Sequence, residues 1–260
     1  AGRRLWARLL RERYGVEDPN ALRFRFGVVC GGSSLTAAQP HNNIVRVGIE
    51  NMAAVLGGAQ SIFTCAYDEA FQIPTESSAE LALRTQQIVA YESGIARTVD
   101  PLGGSHYVEW LTDQMEAQIQ QVIKDIEDYG GAVKAIEDGY LQMRTAERAR
   151  QRKELSDRGE QVVVGVNYFR RPGEDDDVSE VFRLDPQSLK RVSEKYEELR
   201  ARRDNGAVKR SLARLEQAAA HDAENLLPYL IDCCHAYCTV GEMVMALKRQ
   251  WGEFQEPIRF

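Results

Sequence analysis

"QSIFTCAYDEAFQIPTESSAELALRTQQ" runs from Gln60 to Gln87. It opens on an apolar run, Ser61 to Ala66, of the length and composition of a buried strand. The acidic pair Asp68-Glu69 follows directly. Pro74-Thr75 then leads into a long helical pattern, with Ser77 or Ser78 as the expected N-cap and Glu80 completing part of a capping box. Upstream the same order occurs once more. "LRFRFGVV" from Leu22 reads as a strand with a buried end, "CGGSS" as a loop, and "PHNNIVRVGIENMAAVLGG" as a helix opened by Pro40 and closed by Gly57-Gly58. Strands alternating with helices of this length point to βαβ units and a parallel sheet. In such sheets the working residues sit on the loops after the strands' C-terminal ends. "CGGSS" and "CAYDEAFQIPTE" both occupy that position, so the two carboxylates stand where a polar ligand would meet them.

The flanking segments are helical in pattern. Arg3 to Arg13 is an amphipathic helix with Leu5, Trp6, Leu9 and Leu10 at helical spacing. "VDPLGGSHYVE" (Val99 to Glu109) is a turn-rich connector. A helix is expected from Tyr107 to Tyr129, and two more across "GGAVKAIEDGYLQMRTAERARQRKELSDRGEQ". "VVVGVN" (Val162 to Asn167) reads as an isolated strand. "RRPGEDDD" (Arg170 to Asp177) is an exposed, mobile polar loop in this reading, and "VFRLDP" is a short extended piece. From Pro186 onward the pattern is helical, in three or four helices. The fold class is therefore α/β: the last part of a TIM (β/α)8 barrel over residues 1–105, followed by a mostly helical extension over 106–260. Only two or three barrel strands can be counted, where a closed barrel needs eight.

The chain has 260 residues, 43% of them hydrophobic, and a formal net charge of -6, which gives it a sizeable core and no basic footprint for nucleic acid. No apolar run is long enough to span a bilayer, and "AGRRLWARLLRERYG" lacks the continuous apolar segment of a signal peptide. Five cysteines without framework spacing fit a reducing, cytoplasmic setting. Three of them fall in "CCHAYC" (Cys233, Cys234, His235, Cys238). Adjacent Cys233 and Cys234 point to different faces of a helix, so helix packing is the expected role and no metal site is assigned. There is no Walker loop and no GxGxxG.

Taken together, "SSLTAAQPHNNIVRVGIENMAAVLGGAQSIFTCAYDEAFQIPT", "VDPLGGSHYVE", "GGAVKAIEDGY" and "VVVGVN" resemble the large, catalytic subunit of the methylmalonyl-CoA mutase family. These enzymes are adenosylcobalamin-dependent acyl-CoA mutases, isomerases that rearrange a carbon skeleton by radical chemistry. The resemblance implies that this chain carries the back of the substrate barrel. The front half would come from another chain or segment, and the cobalt ligand from a separate cobalamin-binding subunit, because no Asp-x-His-x-x-Gly motif occurs here. The chain end "WGEFQEPIRF" is similar to the heteromeric branch that includes isobutyryl-CoA and 2-hydroxyisobutyryl-CoA mutases.

By the same resemblance Gln60 approaches the acyl-CoA substrate, and Glu69 binds the ribose hydroxyls of the adenosyl group. Cys65 stands at the second ribose contact, where the family usually has asparagine. No catalytic residue is assigned. Gly27 and Val29 replace a histidine and a glutamine of methylmalonyl-type members, and His41 replaces an aromatic residue. These departures argue against methylmalonyl-CoA as the substrate, and the resemblance to the heteromeric branch implies a short branched acyl-CoA. The alternative role is a catalytically silent or assembly subunit of such a mutase.

Overall fold

The computed structural model describes residues 1–170 and 183–257. The loop expected at Arg170–Asp177 lies outside the described residues apart from Arg170. The first two residues of "VFRLDP" and the last three of the chain also lie outside them. The described residues divide into two compact units, 1–170 and 183–257. The boundary expected after residue 105 falls inside the first.

Helix α1, Gly2–Tyr14, ends where Gly15 takes a left-handed conformation (φ 64°) and returns its N–H to Arg11. Arg4 and Arg8 converge on Glu116, whose side chain is only 6% exposed. The two arginines are 40% and 43% exposed and close over the buried carboxylate, strapping α1 to helix α4, His106–Tyr129. Leu22 to Phe26 does not join the sheet, contrary to the sequence reading. Trp6, Phe24 and Phe26 stack in series with ring centroids 5.1 Å apart. The Phe26 carbonyl still accepts from the Gln60 N–H at 3.1 Å, but the Phe26 N–H goes to the Gln60 side-chain oxygen at 2.7 Å, so regular pairing begins only at Gly27. Strand β1 is thus only Gly27–Val29.

β1 pairs in parallel with β2, Ser61–Phe63, in the register Gly27↔Ser61, Val28↔Ile62, Val29↔Phe63. Val28 and Ile62 are half-buried, and Ile62 packs on a core of Cys30, Leu35, Val47 and Cys65. Gly27, Val29, Ser61 and Phe63 form the other face, which is exposed. Helix α2, Asn42–Leu56, connects the strands, and α3, Glu76–Tyr91, follows β2. The buried side of α2 is Asn43, Val47 and Asn51, one residue per turn. After α2 the chain turns at Gly58 (φ 78°), where a Cβ would lie 2.9 Å from the Arg3 guanidinium. The N-cap of α3 is Thr75, not Ser77 or Ser78. Its hydroxyl accepts from the Ser78 N–H at 3.2 Å, and Ser78, at the third helical position, turns its own hydroxyl elsewhere.

Two helices follow α4, as expected: α5, Ala132–Glu137, and α6, Tyr140–Asp157. "VVVGVN" is a turn rather than a strand. Gly165 (φ 79°) donates to the Tyr168 carbonyl at 2.8 Å, and Val164 and Tyr168 make a single bridge. The Asn167 side chain fixes this turn by accepting from the Val163 N–H and donating to the Gln161 and Ser156 carbonyls. A β-rich sequence therefore closes on itself instead of joining the sheet.

The second unit is four helices: α7 (Pro186–Arg202), α8 (Asn205–Ala219), α9 (Leu227–His235) and α10 (Val240–Trp251). Leu215, Cys233 and Ala246 are its fully buried centre, so Cys233 is a packing residue while Cys234 is exposed. Thr239 and Glu242 form a reciprocal capping box on α10. The Arg203 fork grips the same Glu242 at 2.8 and 2.5 Å. No helix among the described residues is long and apolar enough to cross a membrane.

The Arg203 fork, opposed by partial burial and aided by Thr239, holds the Glu242 carboxyl down at about 2. A depressed carboxyl contributes stability above its unfolded-state pKa and loses it as pH falls through the folded value. We therefore expect thermal unfolding of the second unit to move to lower temperature as pH drops from about 5 towards 2. In Glu242→Gln this pH dependence should flatten and stability at pH 7 should fall by about 2 kcal/mol. Differential scanning calorimetry across pH checks both; a wild-type slope unchanged in the variant removes the pair as its cause.

Candidate functional site

The site is built at the C-terminal ends of β1 and β2. The loop after β1 begins when the Cys30 N–H bonds the Phe63 carbonyl at 2.8 Å, and it coils once through Gly32–Ser34. Asn43, fully buried, then holds both strands' loops. Its side chain accepts from the Thr36 N–H (3.1 Å) and donates to the carbonyls of Thr36 (2.9 Å) and Tyr67 (2.8 Å). Arg46, one turn on, donates to the Asn43 oxygen (2.7 Å), the Thr36 hydroxyl (2.9 Å) and the Val164 carbonyl (2.7 Å). The 162–169 turn is thereby tied to the same place, with Gln39 donating to the Phe169 carbonyl. His41 stacks on Tyr67 at 5.1 Å between ring centroids, joining the two loops at their rims. Sequence reading found this loop cluster but missed Asn43 and Arg46. Their only trace was a polar pair of turns, "NNIVR", opening a helix.

The two carboxylates of the acidic pair have separate fates. Asp68 is 1% exposed. Its Oδ2 accepts from the Ser78 hydroxyl (2.8 Å), the Gln72 amide (2.7 Å) and the Thr75 N–H (3.4 Å). It anchors the start of α3, where the helix dipole favours negative charge. Glu69 is half-exposed and spends one oxygen on the Ala66 N–H at 2.5 Å. A carboxylate offers about four lone-pair sites, so Glu69 retains acceptor capacity towards solvent.

Cys65 is buried, and its thiol donates to the Cys30 carbonyl at 2.8 Å. For it to touch a ligand, that bond has to be given up. Burial first, then the Glu69 charge, pushes the Cys65 thiol up to about 11. Burial and the charge of Glu50 also raise Cys30. Glu50, on α2, has one buried oxygen without a hydrogen-bond partner among the described residues. The strand ends are therefore rich in acceptors and negative charge. Carboxylate oxygens without a partner among the described residues can accept from hydroxyl donors there, and the Arg46 guanidinium lies in the same loop cluster. Gln60 lies at the opposite, N-terminal end of β2, where its amide binds the Phe26 N–H and the Gly58 carbonyl. The structure thus brings Cys65 and Glu69 together and sets Gln60 apart by the length of the strand. No group of three or more His, Cys, Asp or Glu among the described residues is arranged to hold a metal ion.

The family model for methylmalonyl-CoA mutase matches residues 1–253. The chain belongs to the methylmalonyl-CoA mutase family. It is 40% identical over 254 residues to the 2-hydroxyisobutanoyl-CoA mutase large subunit of Aquincola tertiaricarbonis, covering 98% of this chain and 45% of that protein. It is 41% identical to the mitochondrial methylmalonyl-CoA mutase of Homo sapiens over 254 residues, 97% of this chain and 34% of that one. With the methylmalonyl-CoA mutase of Escherichia coli the identity is 40% over 258 residues, 99% and 36% of the two chains. The chain therefore spans less than half the length of these mutase-family relatives.

Two outcomes follow from the geometry. Asn43→Ala removes the side-chain partner of the Tyr67 carbonyl and of both main-chain groups of Thr36, all part-buried bonds, so we expect a loss of about 3 kcal/mol. Denaturant titration reads this, and hydrogen exchange should rise first at residues 35–37 and 66–69. Secondly, iodoacetamide at pH 8 should label exposed Cys234 well before Cys65 and Cys233, whose thiols burial raises to about 11 and about 12. Peptide mass mapping decides; early labelling of Cys65 would mean that its loop opens readily.

Proposed function

We propose that this chain is part of the catalytic subunit of a coenzyme B12-dependent acyl-CoA mutase that rearranges a short branched acyl-CoA. The carrying observation is Glu69: a half-exposed carboxylate at the C-terminal end of β2, braced by the Ala66 N–H, in an acceptor-rich surround. Two vicinal ribose hydroxyls are donors, and this is the chemistry such a carboxylate receives. Adenosylcobalamin, when bound, supplies cobalt–carbon homolysis, and the protein supplies orientation and exclusion of side reactions. Glu69 would fix the sugar, Asp68 would keep the loop in place through Ser78, and Asn43 would hold Tyr67 so that Glu69 cannot drift. Positioning errors of about 1 Å cost roughly 100-fold in rate.

In this reading residues 1–105 supply late strands of a (β/α)8 barrel and 106–260 the helical extension. The exposed face of β1 and β2 would line the lumen. Parallel strands with one open face are normally covered on both sides, which supports a partner chain or segment carrying the front half. A separate cobalamin-binding subunit accords with a relative whose name specifies a large subunit. The setting is cytoplasmic. Gln60, about 16 Å from Cys65 at ~3.3 Å per residue, would meet the far part of an elongated acyl-CoA.

One observation favours the second reading, a silent or assembly subunit: the Cys65 thiol is turned inward to Cys30. Glu69→Gln in the complete enzyme with its partner chains and adenosylcobalamin separates the two. The catalytic reading expects turnover to fall by about 100-fold or more with assembly intact. Unchanged turnover with intact assembly assigns the chain to the silent role.

A further inference from the structure

"CCHAYC" (Cys233 to Cys238) contributes nothing to the strand-end site, yet the structure sets its two outer thiols against each other. Helix α9 ends in a six-residue turn. The Cys238 N–H bonds the Cys233 carbonyl at 2.9 Å, and the Tyr237 N–H bonds the Cys234 carbonyl at 3.0 Å. These are the paired bonds of a Schellman stop, which commonly brings the side chains at its two ends into contact. Here both ends are cysteines. Tyr237 takes the left-handed position (φ 59°) that glycine usually fills. Its carbonyl accepts from Arg203, just ahead of α8, at 2.9 Å, which pins the turn.

The two thiols are unequal. Cys233 is fully buried against Leu215 and Ala246, and Cys238 is half-buried at the edge of the same core. The Cys233 thiol donates to the Cys238 sulfur, whose own S–H reaches the Val208 carbonyl at 4.0 Å. Burial pushes the Cys233 thiol up to about 12. Burial also raises Cys238, but there the hydrogen bond from Cys233 and the Arg203 guanidinium oppose the rise, with Glu242 adding to it. Of the pair, Cys238 is therefore the one to ionise first, and its sulfur is the one that solvent reaches. The buried thiols of the first unit are arranged differently, because Cys65 spends its S–H on the Cys30 carbonyl.

We propose that Cys233 and Cys238 are a reversible disulfide-forming site whose oxidant is a low-molecular-weight disulfide, with Cys238 as the attacking thiol and Cys233 as the resolving thiol. The Cys238 thiolate attacks one sulfur of the oxidant. The oxidant's S–S bond breaks, and the thiolate that leaves takes up a proton equivalent to the one Cys238 gave to solvent. Cys233 then loses its proton and attacks the Cys238 sulfur of the mixed disulfide, and the second thiolate leaves and is protonated. Two protein thiols are oxidised to one disulfide, and one small disulfide is reduced to two thiols. The step needs little rearrangement, because a main-chain bond already closes the turn between the two residues. The product ties the end of α9 to the residue before Thr239, the N-cap of α10. It therefore acts where the capping box and Arg203 meet Glu242.

The test incubates the complete, natively folded protein with glutathione disulfide. Remaining thiols are blocked, disulfides are reduced, and the thiols so released take a second label for mass mapping. In wild type and in Cys234→Ser, Cys233 and Cys238 should gain the second label together, at least ~10-fold faster than Cys30 and Cys65. Dithiothreitol should reverse the change. Cys233→Ala should stop at a stable glutathione adduct on Cys238. In oxidised Cys234→Ser, amide exchange at residues 237–242 should slow by ~10-fold or more. Pairing of Cys234 with either neighbour overturns the proposal. So does Cys233 left unoxidised while Cys238 carries glutathione, or oxidation only after the protein is unfolded. Unchanged exchange with the disulfide formed overturns its action on α10. Where Cys233→Ala does not fold, the Cys234→Ser result decides alone.

Discussion

One buried side chain holds the site's loops in place. Asn43 has no contact with water, and each of its polar atoms is used on loop backbone or on Arg46. The loop after β1 and the loop after β2 have no sheet ladder to hold them, because each strand is three residues long. A short sheet leaves most of the ordering entropy of these loops to be offset by other bonds. Asn43 concentrates those bonds at one point, and Arg46 extends them to the 162–169 turn. Everything that Glu69 can do in space follows from where this asparagine holds Tyr67.

The same constraint explains the division of labour in the acidic pair. Adjacent residues on a loop leaving a strand point in different directions. Asp68 goes inward to Ser78 and Thr75 at the start of α3, and Glu69 stays at the rim with one oxygen on Ala66. Their environments differ accordingly: Asp68 fixes the helix with one oxygen and has its other oxygen buried without a hydrogen-bond partner among the described residues, while Glu69 keeps acceptor capacity at the rim. The thiols behind them are held protonated by burial and by the charges of Glu50 and Glu69. They behave as small packing groups with a weak donor, and not as nucleophiles.

The helical second unit depends on a comparable economy. Leu215, Cys233 and Ala246 make a small dry centre. Arg203 and the Thr239 capping box both converge on Glu242, so one carboxylate ends a turn, starts a helix and joins α8's approach to α10. Leu215 fills that centre with the smaller Cys233 and Ala246 beside it, and Arg203, in the turn before α8, ties itself to Glu242 at the start of α10.

Period and punctuation in the sequence determined the alternation of strand and helix, the loop positions that bear Cys65 and Glu69, the helices on either side and the family. These are local properties: apolar period, Pro40 and Pro74 ahead of helices, Gly57-Gly58 after one. Tertiary structure alone decided three other matters. "LRFRF" is aromatic and alternating, yet it stacks on Trp6 because the Gln60 amide takes the next ladder bond. "VVVGVN" is β-branched, yet Asn167 and Gly165 fold it into a turn that Arg46 can reach. Asn43 and Asp68 look like ordinary polar residues near a helix start, and only their partners, 7 to 24 residues away along the chain, bury them. For "LRFRF" and Asn43 a partner distant along the chain supplies the deciding bond, whereas Asp68, and Asn167 and Gly165 in "VVVGVN", close through bonds within about a dozen residues.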